Sequence, residues 1–409
     1  MVLWCVSALE IRAQVQRVSL SEALDLFAQH NMELRAARTR ADEMAGLARQ
    51  AAAYPNPSAS ITHEPIWRGD ESLSESYVNL SQRIEWPALR RARIEAAKGM
   101  TAVARADLQN DSLRLALEVV RTFVEAAGAT ERRDILSEAV DLFRRADSAS
   151  VRLATEGEAS GYRLRRIRVE RARYEDRLAE AVLDRRDALR DLALLILPEI
   201  EAARLDVEMD LPAVPSRVAL DDALDRARSN RADLARARAS AEAARARTQE
   251  ARRQRVPSPT LTAGYKRQSN GFKGLFVGTA IPLPLFDRNT GTIAARRAAL
   301  STAEHRRALT EASVERDVRR AYDRYASLAE RSERIGEGLL GDADGLLHAA
   351  QVGYAEGEMS LVELLDAAEA YSDARLSRLE MRMHLHNAFY ELLRAAGGRI
   401  ETYGFPTLQ

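Results

Sequence analysis

The chain has 409 residues, of which 30% are charged and only 5% aromatic, with 61 basic and 61 acidic side chains. A formal net charge of zero gives no support for nucleic-acid binding, and the single cysteine excludes a disulfide framework and a cysteine-based zinc site. Many charged and few aromatic residues are typical of long helices rather than of a compact mixed core.

The N-terminal residues 2–9 resemble the hydrophobic part of a signal peptide. They lack a basic start, and Glu10 and Arg12 follow at once. We therefore interpret residues 1–17 as a residual signal-like segment from a clipped signal peptide, with cleavage near Ala13. No stretch of the sequence reaches the ~18 apolar residues that a transmembrane helix needs.

The sequence repeats itself about 200 residues apart. Ala23-Leu24-Asp25 returns as Ala223-Leu224-Asp225, and Gly157-Glu158-Ala159-Ser160 returns as Gly357-Glu358-Met359-Ser360. Solenoid repeats recur every 20–50 residues, so this period indicates a duplicated architecture instead. The predicted division is a first repeat at 18–200, a linker at 201–217, a second repeat at 218–398 and a tail at 399–409.

Each repeat is predicted to contain a helix, a β-hairpin, a long helix, a tight break at a glycine and a further helix. The first repeat has helix 20–52, hairpin 58–86 with strands 58–64 and 76–86, long helix 88–155 and helix 161–197. The second has helix 220–255, hairpin 260–283 with strands 260–267 and 272–283, long helix 288–355 and helix 360–396. Four glycines between 336 and 345 predict a bend in the second long helix.

The predicted strands are about as long as tilted strands that cross a bilayer. In the second strand, Val78 and Leu80 alternate with Tyr77 and Asn79, which gives one apolar and one polar face. Four strands cannot close a barrel, eight leave the interior filled by side chains, and twelve leave room for a channel. Aromatic residues predicted to lie at the membrane interfaces are Tyr54, Trp67, Trp86, Tyr265 and Phe286. The alternative is that two ordinary hairpins cap a soluble helical bundle.

Five segments in this order resemble the TolC family of outer-membrane efflux proteins, especially the branch that serves heavy-metal and multidrug pumps. They are Leu20–Leu24, Tyr54–Pro57, Ile281–Asp287, Gly353–Gly357 and Leu361–Ala367. The resemblance implies a mainly α fold with a small β part. Duplicated antiparallel coiled-coil hairpins would form a periplasmic tunnel, and the two β-hairpins would form a 12-stranded outer-membrane barrel in a trimer.

The function implied is a passive exit duct without catalytic residues, cofactors or bound metal. The implied partners are two further copies of the chain, outer-membrane lipid, a periplasmic membrane-fusion adaptor and an inner-membrane transporter of the RND or ABC type. A periplasmic adaptor and a soluble coiled-coil scaffold are the rival interpretations. The sequence leaves open whether metal ions, drugs or proteins pass through the duct.

The resemblance also places a gate at the helix-hairpin tips. The acidic positions of the family's gate fall on Glu363 and Asp366, and its tyrosine falls on Tyr354. Met359 stands where a basic partner is usual, and Arg163 stands where the first tip is usually acidic. Glu363 and Asp366 are three residues apart and share a helix face, although acids near a helix N-terminus are also favoured by the helix dipole alone.

Because the usual lock is altered, we hypothesise that Arg163 or Arg166 pairs with Glu358, Glu363 or Asp366 between neighbouring tips. The tips are also predicted to receive the adaptor, although a glycine there also serves as a plain helix cap. The predicted docking residues are Gly157, Glu158, Ser160, Gly357, Glu358 and Ser360. The run of arginines from 163 to 168 is otherwise interpreted as a solvated helix face.

A group of thioethers and imidazoles, which suit Cu(I) or Ag(I), occurs at Met381, Met383, His384 and His386. At helical spacing Met381 shares a face with His384 and Met383 with His386, so the four do not converge. We therefore favour packing between helices over a metal site.

Overall fold

The computed structural model describes residues 16–155, 161–197, 204–208, 214, 218–335, 338–356 and 358–398. It is mainly helical with a small β part. The described helices are α1 (Leu20–His30), α2 (Met32–Ala52), α3 (Pro87–Thr155), α4 (Gly161–Ile196), α5 (Leu220–Asn230), α6 (Ala232–Arg253), α7 (Thr290–Ile335), α8 (Gly338–Ala355) and α9 (Leu361–Ala395). The strands are β1 (Gln16–Val18), β2 (Ser58–Arg68), β3 (Glu71–Arg83), β4 (Leu205–Val207), β5 (Thr260–Gln268) and β6 (Lys273–Ala280). None of the described helices is long and apolar enough to cross a membrane.

The chain divides into two compact units. The first contains residues 1–35, 111–231 and 313–409, and the second contains residues 36–110 and 232–312. The core of the first unit is built from α3, α4, α8 and α9 and includes Phe143 and Tyr174, whose ring centroids lie 4.8 Å apart. Both sequence repeats therefore contribute long helices to this core, α3 and α4 from the first and α8 and α9 from the second.

The predicted continuous helix 20–52 is wrong, because Asn31 separates α1 from α2. Asn31 has an extended backbone, donates its N–H to the Phe27 carbonyl and accepts the N–H of Leu34 on its side-chain oxygen. Its side-chain amide also donates to the carbonyl of Leu195 at 3.0 Å. The second repeat is interrupted in the same way at Arg231, between α5 and α6.

The structure contains a short parallel pair of strands that the sequence does not predict. Gln16 pairs with Leu205 and Val18 with Val207, so β1 and β4 join the N-terminal segment to the predicted linker. β1 thus begins inside the segment assigned to residues 1–17, and the linker 201–217 contains a strand. Three-residue strands are too short for an alternating pattern to reveal.

The four predicted hairpin strands form one antiparallel sheet in the second unit, in the order β2-β3-β5-β6. β2 and β3 extend further toward their turn than predicted, and β3 ends at Arg83 rather than residue 86. β6 ends at Ala280, before Pro282, which cannot donate to a ladder. β2 and β6 are the edges of this sheet.

The second long helix is described in two parts, α7 up to Ile335 and α8 from Gly338. The bend predicted from the glycines includes residues 336 and 337, which lie outside the described part of the chain, and it stays a prediction. The first long helix, α3, runs over 69 residues.

Within the second unit, α3 and α6 approach closely at Gly99. A Cβ atom added to Gly99 would lie 2.9 Å from the Ala243 Cα and 3.2 Å from its Cβ. Only a residue without a side chain fits this crossing, because the atom it would meet belongs to backbone.

Candidate functional site

One face of the four-stranded sheet is apolar and open. It carries two adjacent rows, each with one side chain from every strand. The rows are Ile61, Val78, Tyr265, Leu275 and Ala59, Leu80, Ala263, Val277. Leu275 is 84% exposed and Val277 is 74% exposed. Contiguous apolar surface of this kind marks a membrane or protein contact.

The opposite face of the same sheet is polar. Lys266 Nζ lies 2.7 Å from a Glu75 carboxylate oxygen, and Gln268 and the Tyr77 hydroxyl also donate hydrogen bonds to that carboxylate. Phe276 packs edge-on against Tyr77 at 6.4 Å. The predicted alternation of apolar and polar faces is confirmed by this register.

The predicted interfacial aromatics are exposed at different levels of the second unit. Tyr54, Trp67, Trp86 and Phe286 lie near strand ends or just outside the strands, as predicted. Tyr265 lies within β5, three residues before its end and directly opposite Val78.

The second tip reverses between α8 and α9 in a few residues. The N–H groups of Glu358 and Met359 both donate to the Gly353 carbonyl, at 2.8 and 2.9 Å. Met359 folds back on Gly353, where an added Cβ would lie 2.8 Å from Met359 Cγ. A larger residue at position 353 would displace Met359, so Gly353 shapes this turn. The predicted break at Gly357 lies outside the described residues.

Glu363 forms a capping box with Ser360 at the start of α9. The Ser360 N–H donates to Glu363 at 2.6 Å, and the Glu363 N–H donates to the Ser360 hydroxyl at 3.3 Å. Hydrogen bonding to the carboxylate from the Ser360 N–H, and then from the Ser360 side chain, lowers the pKa of the Glu363 carboxyl, and the helix dipole stabilises the same charge. The Ser-x-x-Glu pattern at 360–363 is the sequence signal that predicts such a cap.

An ion pair joins the two hairpins near their tips. Arg166 on α4 lies 2.9 Å from an Asp366 carboxylate oxygen on α9, and both side chains are partly exposed. This is one of the hypothesised pairings, and it forms within a single chain. The Arg163 side chain lies outside the described part of the structure, as do Gly157, Glu158 and Ser160.

Tyr354 is half-buried and packs against the core of the first unit, together with Met359. Its side chain therefore supports the end of α8 from the inside. The gate roles of Tyr354, Glu363 and Asp366 and the docking roles of Glu358 and Ser360 stay predictions.

A second charged cluster lies near the first tip, and sequence analysis misses it. Asp147 on α3 is buried, and its carboxylate contacts Arg168 at 3.5 Å and Arg171 at 2.5 Å on α4. The Arg168 side chain is 55% exposed, in agreement with the interpretation of the arginine run as a solvated helix face, and it also pairs with Asp147. Arg168 and Arg171 are three residues apart and so share a face of α4. This spacing is the only sign in the sequence that they share a partner, because Asp147 lies on another helix.

Comparisons with known proteins agree with this architecture. Residues 223–398 match the family model described as outer membrane efflux protein. The cobalt-zinc-cadmium resistance protein CzcC of Cupriavidus metallidurans is 27% identical over 384 residues, covering 93% of this chain and 90% of that protein. The predicted resemblance to TolC-like outer-membrane efflux proteins is confirmed. The description of the matched family model names outer-membrane efflux proteins, in agreement with the predicted outer-membrane location.

Solved structures share the TolC-like fold. A membrane protein from Pseudomonas aeruginosa superposes with a TM-score of 0.78 at 18% identity, covering 93% of this chain and 90% of that one. The CmeC outer membrane channel of Campylobacter jejuni gives a TM-score of 0.76 at 17% identity, covering 93% and 85%. These likenesses support the fold over nearly the whole chain.

The methionine and histidine group does not converge. Met381 and His384 line a cleft of about 880 Å³ between α7, α8 and α9, whereas Met383 packs toward Gly128 and His386 is buried. Among the described residues, no three His, Cys, Asp or Glu side chains are grouped so as to hold a metal ion.

Burial of His386 predicts a pH-dependent stability. Desolvation, followed by the nearby Arg382 charge, lowers the pKa of His386 from 6.5 to about 4. The unfolded chain takes up this proton near pH 6.5, whereas the folded chain resists it until about pH 4. The stabilisation is therefore complete above pH 6.5 and is lost as the pH falls toward 4, by up to about 3 kcal/mol.

Thermal unfolding followed by circular dichroism between pH 7 and 4.5 measures this effect. His386→Leu should flatten the pH dependence, because leucine takes up no proton. The control His384→Gln changes an exposed histidine two residues away and should keep the wild-type slope. Equal slopes for wild type and His386→Leu would contradict the prediction.

Proposed function

We propose that the chain is one subunit of a trimeric outer-membrane channel, the passive exit duct of a tripartite efflux pump. The observation that carries this proposal is the sheet, with its exposed apolar face, its polar opposite face and its two open edges, β2 and β6. Pairing β6 of one copy with β2 of the next would close twelve strands from three copies. Closure is required because unpaired edges are not tolerated in lipid.

Membrane fractionation tests this proposal against both rivals. A channel subunit should appear in the outer-membrane fraction and, after detergent extraction, run as a trimer that dissociates on heating. A periplasmic adaptor or a soluble scaffold would have no reason to expose two rows of apolar side chains on a sheet. Recovery of the chain as a soluble periplasmic monomer would overturn the proposal.

The remaining partners follow from this role. The hairpin tips would meet a periplasmic adaptor, which connects the duct to an inner-membrane transporter of the RND or ABC type that supplies the energy. Support comes from the family match and from the short second tip, which ends in the capped helix α9. Crosslinking from a Glu358→Cys variant in living cells would identify the adaptor.

We further propose that the cargo includes divalent metal cations. The 27% identical relative that spans most of the chain is named for cobalt, zinc and cadmium resistance. Glu363 and Asp366 would place carboxylates near the predicted constriction, where negative charge favours cations. Deleting the gene should reduce growth in zinc, cobalt or cadmium, and unchanged growth in all three would contradict this cargo.

The Arg166–Asp366 pair supplies a test of the gate. In the wild type, the Arg166–Asp366 ion pair holds α4 and α9 together. Arg166→Asp places a second carboxylate opposite Asp366, so the two helices should repel each other at this point. Exposed pairs contribute roughly 0.2–1 kcal/mol, so single-channel conductance in planar bilayers should rise by up to about fivefold.

Exchanging the charges provides the control for this test. The double variant Arg166→Asp, Asp366→Arg should restore the wild-type conductance. Arg173→Asp reverses a charge on the same helix whose partner, Glu170, is on that helix too, and should leave conductance unchanged. Failure of the exchanged pair to restore closure would remove this ion pair from the gate.

A further inference from the structure

The outward face of the sheet changes character above its two apolar rows. The next row toward the hairpin turns consists of His63, Ser76, Arg267 and Lys273, one residue from each strand. His63 Nδ1 and the Ser76 hydroxyl lie 2.9 Å apart. Arg267 and Lys273 are exposed and stand directly opposite each other in the register. Like charges in directly opposed positions destabilise a sheet.

Acidic residues are segregated to the other face of the sheet. Within the four described strands, the acidic positions are Glu64, Glu71 and Glu75, and by alternation all three share the polar face with Lys266. The outward face therefore offers no strand carboxylate to Arg267 or Lys273. Pairing further copies through β2 and β6 would not supply one, because each copy repeats the same outward residues.

The height of this basic row matches one boundary of a bilayer. Ten residue steps separate Ser76 from Trp86; seven of them belong to β3, which ends at Arg83, and beyond it the Ile84 N–H and the Trp86 ring N–H donate to the carbonyls of Pro259 and Pro257. At about 3.3 Å a step and a tilt of about 40°, ten extended steps rise about 25 Å. That is the usual height of the apolar band of an outer-membrane barrel. The row lies toward the hairpin turns, away from the helices, and thus on the outer side of the membrane.

We propose that Arg267 and Lys273 bind phosphate groups of anionic lipids in the outer leaflet, an inference that rests on the proposed channel function. A phosphate between the two side chains replaces their repulsion by two attractions. The guanidinium of Arg267 offers the paired donors that match phosphate oxygens. Trp67 lies on the same face, four residue pairs nearer the turn; it is 71% exposed and stands at headgroup level.

Trp67 provides the measurement. The chain has three tryptophans, so a Trp4→Phe, Trp86→Phe background leaves Trp67 as the only one. The purified protein is reconstituted in brominated phosphatidic acid or brominated phosphatidylcholine, and quenching of Trp67 gives the relative affinity for each lipid. Basic side chains at a membrane surface each favour anionic lipid about fivefold, and a preference of up to about 25-fold is expected for the pair.

Neutralising the pair tests the assignment. Arg267→Gln with Lys273→Gln should reduce the preference to about twofold or less. The control Arg83→Gln with Lys98→Gln removes the same amount of charge, from one residue on the polar face of the sheet and one on a helix. This control should keep the preference for anionic lipid. If the Arg267→Gln, Lys273→Gln variant keeps the preference for anionic lipid, the lipid site is overturned. It is also overturned if millimolar inorganic phosphate abolishes that preference in the protein that keeps both basic residues, because the site would then bind free phosphate. Quenching by neither lipid would instead overturn the channel itself.

Discussion

Val277→Arg is expected to prevent stable insertion of the protein in the outer membrane. Val277 is 74% exposed on the apolar face of β6, in the same row as Leu80. Arginine facing lipid near the bilayer midplane costs about 2–4 kcal/mol, and a trimer would incur this cost three times. The heat-modifiable trimer should disappear from the outer-membrane fraction.

The neighbouring residue gives a matched control. Gly278 follows Val277 on the same strand and points to the polar face, and a Cβ added to it meets nothing within 4 Å. Gly278→Arg therefore adds the same charge on a side that is open and polar, and assembly should survive. If both variants assemble equally well, the apolar face does not contact lipid.

The two faces of the sheet could be predicted from the sequence because they depend on local alternation. Val78 and Leu80 alternate with Tyr77 and Asn79, and a strand has a period of two whatever it pairs with. The helices are predictable for a similar reason, since prolines and glycines mark where they end.

The features that sequence analysis misses depend on residues distant in the chain. Asn31 interrupts a helical pattern, and its amide bonds to Leu195, 164 positions away. The strand pair of Gln16 and Leu205 likewise joins segments 189 positions apart. No local pattern reports such contacts.

The candidate gate combines a feature that the local sequence predicts with a contact that only the fold reveals. The family resemblance selects Glu363 as a gate residue, and the structure gives it a local role in the capping box with Ser360. The ion pair of Arg166 and Asp366 joins equivalent positions of the two repeats, 200 residues apart. The duplication makes these positions comparable, but only the fold could bring them together.

Gly99→Leu is expected to cause a large loss of stability within the helical part of the second unit. The added side chain would meet the Ala243 backbone, where even a Cβ stands only 2.9 Å from Cα. Backbone cannot rotate away as a flexible side chain can, so α3 and α6 must separate. Overpacking of this kind costs about 1–3 kcal/mol or more, and the midpoint of thermal unfolding should fall.

Gly46 in α2 separates this effect from helix propensity. A Cβ at Gly46 meets nothing within 4 Å, so Gly46→Leu should gain up to about 1 kcal/mol from its better helix propensity. Gly99→Leu receives the same gain from propensity, and the difference between the two variants then measures the clash alone. Gly99→Ala should fall between wild type and Gly99→Leu, because it adds only the first clashing atom. An unfolding midpoint for Gly99→Leu at or above that of wild type would show that the two helices do not depend on this contact.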